Sequence, residues 1–166
     1  MSRVLVAYAT KLSSTRDVAE AIGEELRAAG HEVDVRLVGE VRQIDYDAVI
    51  LGSALYAATW LSEANRFVAR HVAALQALPV WLFSSGPLDS RLAASNPPIT
   101  RHAAEATAPI GARGHHTFGG RLAPDAPLSP QVMATHAIGD FRNWAAMRAW
   151  ARSIAAELAE LNRPGQ

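Results

Sequence analysis

The stretch "RVLVAYATKLSSTRDVAEAI", residues 3–22, changes periodicity within a few residues. Arg3–Ala9 is an almost unbroken apolar run, the composition of a strand buried on both faces. From Val18 onward the apolar positions Val18, Ile22, Leu26 and Ala29 recur at helical spacing, and Gly30 closes the helix. Between the two lie Thr10, Ser13, Ser14 and Thr15, gathered around Lys11, the single lysine of the chain. A strand turning into a helix over small hydroxyl residues brings backbone N–H groups and the positive end of a helix dipole to one point, which favours an anion. Ordinary capping competes with that reading, because Ser14 with Asp17 three residues on resembles a capping box. The loop lacks the G-x-x-x-x-G-K-[ST] and G-x-G-x-x-G patterns of nucleotide-binding turns.

Outward from this stretch, strands and helices alternate. His31–Val38 alternates like a strand with one exposed face, whereas Asp47–Ser53 and Pro79–Ser85 read as buried strands. Ala64, Phe67, His71 and Leu75 mark a helix for which Ser62 is the expected cap. "SNPPITRHAAEATA", residues 95–108, predicts a short helix with Pro97 or Pro98 near its first turn. Arg113–Gly120 is a weaker strand, and Arg121–Gly139 is proline-rich and aperiodic. Met147, Ala151, Ile154, Leu158 and Leu161 stripe a long final helix, with Trp144 and Trp150 expected to pack it. This order predicts a five-stranded parallel sheet covered on both faces. The first strand is apolar throughout and the second half polar, which puts the first in the centre and the second at an edge, in the order 2-1-3-4-5.

Composition narrows the functional classes. A chain of 166 residues with 49% hydrophobic residues suits one domain over 1–166 with a full core. Lys+Arg and Asp+Glu number 16 each, and no basic cluster points to nucleic acid. The absence of cysteine excludes disulfides, thiol catalysis and cysteinyl cofactor links. No signal peptide and no apolar run of about 20 residues is present, so a cytoplasmic protein without a membrane span is expected.

In sheets of this order ligands sit beyond the carboxyl ends of the strands. The loops there are Thr10–Thr15, Ser53–Trp60 and Ser84–Leu92. Tyr56 and Trp60 offer aromatic surface, and the small residues of Ser84–Leu92 let backbone approach a flat ligand. A phosphate cradle, an aromatic wall and a polar backbone rim suit an aromatic phosphate ester such as flavin mononucleotide (FMN). Either aromatic alone would more simply seal the core edge. No His–Asp–Ser or paired-carboxylate constellation exists, so no catalytic residue is assigned. His115 and His116 are neighbours in a strand and point to opposite faces. His136 and Asp140 could meet on a helical turn, but no metal site is assigned to either pair. His71 is expected on a helix face against the sheet.

Four blocks in order carry a resemblance. "VLVAYATKLSSTRDVAEAIGEEL" (4–26), "VILGSALYAATWLSEANRFVARH" (49–71), "LPVWLFSSGPL" (78–88) and "GDFRNWAAMRAWARSIAAEL" (139–158) resemble the flavodoxin-domain proteins, nearest to their protoporphyrinogen dehydrogenase-like branch. The resemblance implies an α/β, flavodoxin-like three-layer sandwich that binds FMN. It gives the phosphate to Thr10, Lys11, Leu12, Ser13, Ser14 and Thr15. It gives the isoalloxazine flank to Ser53, Ala54, Tyr56 and Ala57, and the polar ring edge to Ser84, Ser85, Gly86 and Pro87. Gly120, with Arg121, closes the far side. Ser13 and Ala58 stand where the family usually has glycine, and Thr59 where a basic residue is common; a positive φ at Ser13 or Ala58 would strain a Cβ.

The implied function is an FMN oxidoreductase passing electrons between a small-molecule substrate, quinone- or protoporphyrinogen-like, and an acceptor. An electron shuttle between protein partners and a flavin-free binding module are the alternatives. Overall neutrality disfavours a shuttle steered to a basic partner. The family's membrane-facing insertion falls near Arg121–Gly139. Here Leu128, Val132, Met133 and Ile138 are apolar without a sustained basic amphipathic pattern, which leaves at most peripheral membrane contact.

Overall fold

The computed structural model describes residues 1–11, 14–86, 95–135 and 138–165. The expected site residues Leu12, Ser13 and Pro87, and His136, lie outside the described residues. Five long strands are β1 (Arg3–Ala9), β2 (Glu32–Leu37), β3 (Ala48–Tyr56), β5 (Val80–Ser85) and β6 (Gly114–Phe118). They form a parallel sheet in the order β2-β1-β3-β5-β6, the 2-1-3-4-5 order of the five parallel strands. The short β4 (Thr59–Trp60) folds back antiparallel on β3, pairing Leu55 with Trp60 and Tyr56 with Thr59.

Alternation along the strands builds two cores. Val4, Val6, Tyr8, Ile50, Trp81, Phe83 and Phe118 face α1 (Ser14–Ala28) and the final helix α5 (Trp144–Leu161). Leu5, Ala7, Val49, Leu51 and Leu82 face α2 (Ser62–Gln76) and α3 (Arg101–Thr107). Central β1 is buried at every position after Arg3, whereas edge strand β2 buries only Val33 fully. No helix among the described residues is long and apolar enough to cross a membrane.

At Gly52 the core has no room for a Cβ, which would lie 2.1 Å from the tip of the buried Phe83 ring. Phe83 is held by Phe118 and Trp150, at centroid distances of 6.3 Å each, so it has nowhere to swing. Gly52→Ala should therefore destabilise the fold by about 2 kcal/mol through overpacking, read as a lower denaturant midpoint at unchanged slope.

Several local expectations are corrected. The third sequence strand runs on to Tyr56 rather than ending at Ser53. Leu61, not Ser62, occupies the N-cap of α2, and no side chain caps it. Pro97 and Pro98 precede α3 instead of entering its first turn; Thr100 caps that helix by accepting from Ala103 N–H. The aperiodic segment holds β7 (Arg121–Leu122), paired antiparallel with β8 (Gly139–Asp140), and a short helix α4 (Pro130–Thr135). Trp150 packs as expected, but Trp144 is 37% exposed, with the Arg142 guanidinium 4.8 Å above its ring.

Candidate functional site

The carboxyl ends of β1, β3 and β5 lie side by side, and Ala9 pairs with Ser53 as Ser53 does with Ser84. At about 4.8 Å per strand, the first and third loops emerge roughly 10 Å apart. Among the described residues, Thr10 Oγ1, Thr15 Oγ1 and Ser85 Oγ are buried without a hydrogen-bond partner, as are Asn65 Oδ1 and His71 Nε2. The three hydroxyls all belong to the loops the sequence selects. Ser85 shares its side of β5 with Trp81 and Phe83, the side that α1 covers, and Thr15 lies wholly buried in the first turn of α1. A buried hydroxyl without a partner costs free energy, on the order of 1–3 kcal/mol. Donors arranged at a helix N-terminus offset that cost when they meet an anion.

Ser53 and Ser84 behave differently. Ser53 Oγ accepts from Leu61 N–H at 3.0 Å and donates to Ala54 O at 2.9 Å, so it ties the β3–β4 turn together. Ser84 Oγ accepts from Trp60 Nε1–H at 2.9 Å and lies 2.9 Å from His115 Nε2. These two side chains already have protein partners and hold the framework of the β3–β4 turn.

Trp60 is thereby a buried structural residue, whereas Tyr56 is half-buried beside the site. Burial raises the Tyr56 phenol above its ordinary pKa, so it is neutral near pH 7. Lys11 is exposed and carries its ammonium 5.1 Å from the Tyr56 ring centroid. Ala57 and Ala58, at the tip of the β3–β4 turn, both have positive φ, 50° and 59°. That two-residue hairpin geometry favours glycine or asparagine, so alanine holds it at some strain. At Gly86, which donates to Phe118 O, a Cβ would come within 3.0 Å of Leu55 Cβ and 3.2 Å of its backbone, so close approach leaves little room for a larger residue. Buried Gly120 accepts from Phe141 N–H and joins the excursion to the sheet.

His115 and His116 face opposite sides. His116 stacks on Phe118 at 4.3 Å, and His115 meets Ser84. Burial, reinforced by the charge of His116, lowers the pKa of His115 to about 4. Its Nε2 shares a hydrogen bond with the Ser84 hydroxyl, whose oxygen also accepts from Trp60. A histidine with an unfolded value near 6.5 and a folded value near 4 binds fewer protons when folded between those limits. Its contribution is therefore complete above pH 6.5 and is lost as pH falls toward 4. Denaturant midpoints across pH 7 to 4 should fall less steeply for His115→Gln than for the parent protein.

Sequence reading missed Arg142. Its side chain is only 8% exposed, and its Nη1 donates to Asp17 Oδ2 at 3.0 Å across 125 residues of sequence. Nε and Nη2 donate to the two oxygens of Asp140, at 2.9 and 2.7 Å. The carboxylate expected to close a capping box thus reaches the start of the last helix instead. No local pattern signals such a partner.

A profile of the family described as "Flavodoxin domain" matches residues 5–126. Protoporphyrinogen IX dehydrogenase [quinone] of Escherichia coli (strain K12) is 26% identical over 85 residues, 49% of this chain and 47% of that protein. The chain thus matches about half the length of these curated relatives. A flavodoxin from the domain Archaea superposes with a TM-score of 0.65 at 16% identity, over 95% of this chain and 99% of that one. Rubredoxin oxygen:oxidoreductase from Desulfovibrio gigas superposes at 0.63 and 19% identity, over 97% of this chain and 37% of that one. These likenesses carry the fold, and the profile match over most of the chain establishes that the protein belongs to the flavodoxin-domain family.

Proposed function

We propose that residues 1–166 act as one FMN-binding unit and that the protein is an FMN-dependent oxidoreductase. The observation that carries this reading is the set of buried, unpartnered hydroxyls of Thr10, Thr15 and Ser85 on one edge of the sheet. Their chemistry fits the group: hydroxyl donors and α1 backbone N–H groups suit a phosphate, while Tyr56, Ala57 and the Gly86 backbone suit a flat ring. Bound FMN would supply the redox chemistry. Thr10, Ser14 and Thr15 hydrogen-bond the phosphate end. Tyr56 shields one ring face from water. Ser85 and Gly86 offer a polar rim that tunes the ring's electronics. Leu12, Ser13, Pro87 and Gly120 complete the contact set implied by family membership, with Ser53, Ala54 and Ser84 contributing backbone.

The similarity to a quinone-linked protoporphyrinogen dehydrogenase supports a small-molecule electron donor or acceptor of quinone or tetrapyrrole type. The formal net charge of zero supports an enzyme over a carrier steered electrostatically to a protein partner. FMN-loaded protein should turn over quinones with protoporphyrinogen or a chemical reductant in steady-state assays. Absence of turnover, together with rapid reduction of a partner flavoprotein or iron–sulfur protein, would instead identify a shuttle.

A further inference from the structure

We infer that Arg142 is a positioning residue for the FMN phosphate: its guanidinium, shared with Asp140, pairs with Asp17 in the first turn of α1 and so weakens that carboxylate's repulsion of the bound anion. This rests on the FMN reading. Asp17 lies two residues after Thr15, whose fully buried and unpartnered Oγ1 marks the anion site. An acid in the first turn is favourable to a bare helix, since it complements the dipole. Beside a phosphate it is unfavourable, because the two anions repel each other.

The geometry resolves that conflict. The guanidinium is fixed by Asp140 through two side-chain hydrogen bonds and by stacking over Trp144, leaving Nη1 for Asp17. Asp140 also accepts from the Arg142 backbone N–H, and these bonds hold its carboxyl below the usual carboxylate range. Asp17 and Ser14 border one cavity of about 250 Å³ together with Arg121 and Asp125, so Asp17 adjoins the phosphate loop directly. The excursion carrying β7 and β8 thereby reports to the anion site through one buried cation.

Binding of FMN and of riboflavin by the full chain tests this. Arg142→Gln should weaken FMN about fivefold, the upper range for a partly screened ion pair, and leave riboflavin unchanged. The loss should shrink as salt rises. Asp17→Asn in the Arg142→Gln background should restore FMN affinity. Asp17→Asn alone, which removes the opposing carboxylate while Asp140 still holds the guanidinium, should tighten FMN about as much. Equal losses for both flavins, or no rescue by Asp17→Asn, would make Arg142 a scaffold residue and overturn the inference. If Arg142→Gln does not fold, unchanged FMN affinity in Asp17→Asn alone overturns it. Failure of the parent protein to bind FMN would remove the flavin reading and this inference together, and is distinguished by being seen before any substitution.

Discussion

Riboflavin should bind at least about a hundredfold more weakly than FMN, because two charge-assisted hydrogen bonds at about 1.5 kcal/mol each already reach that ratio. In the proposed site both flavins would present the same ring to Tyr56, Ser85 and Gly86. Only FMN would carry a phosphate to Thr10, Thr15 and the N-terminus of α1. The donors are buried and lack protein partners, so they gain their bonds without breaking others. Loss of the phosphate leaves them as they stand in the flavin-free protein and forfeits the contact with the helix dipole. Parallel titrations by fluorescence quenching measure the ratio. Equal affinity would show that the hydroxyl loop does not read a phosphate.

The second large effect separates Thr15 from Lys11. Thr15→Ala should weaken FMN by about 2 kcal/mol, roughly thirtyfold, by removing a buried donor to a charged group. Lys11→Ala should cost about 1 kcal/mol or less, as for an exposed charge. The structure sharpens the contrast, because the Lys11 ammonium lies over the Tyr56 ring and is exposed, whereas Thr15 is wholly buried. Thr15→Val adds a control. It keeps the shape of threonine and removes a hydroxyl that has no protein partner, so the flavin-free protein should become more stable by about 1 kcal/mol while FMN weakens. A larger loss for Lys11→Ala than for Thr15→Ala would place the anion site on the lysine.

What the sequence disclosed follows the strength of its signals. β1, β3 and β5 are continuous apolar runs, and their burial on both faces leaves little alternative to a central parallel sheet. The second strand's polar positions likewise place it at an edge. The β3–β4 hairpin was hidden because Ala57 and Ala58 lack the glycine or asparagine that normally announces such a turn. The prolines before α3 misled because Thr100, two residues further on, supplies a better cap. Within the candidate site the three loops were legible, but the division of labour was not. Nothing in the sequence separates Thr10, Thr15 and Ser85 from Ser53 and Ser84; only tertiary partners such as Trp60, Leu61 and His115 do. The Arg142–Asp17 pair was unreadable because its partners lie 125 residues apart.

The sheet edge that carries Thr10, Thr15, Tyr56, Ser85 and Gly86 is proposed to take FMN. Calorimetric titration of the purified flavin-free protein with FMN tests it most directly. Expected are saturation at one FMN per chain, a shifted and structured visible absorption band, and complete release of the flavin on denaturation, since no cysteine is present to hold it. No heat, no quenching and no spectral change with excess FMN, for protein shown to be folded by its cooperative unfolding, would contradict it.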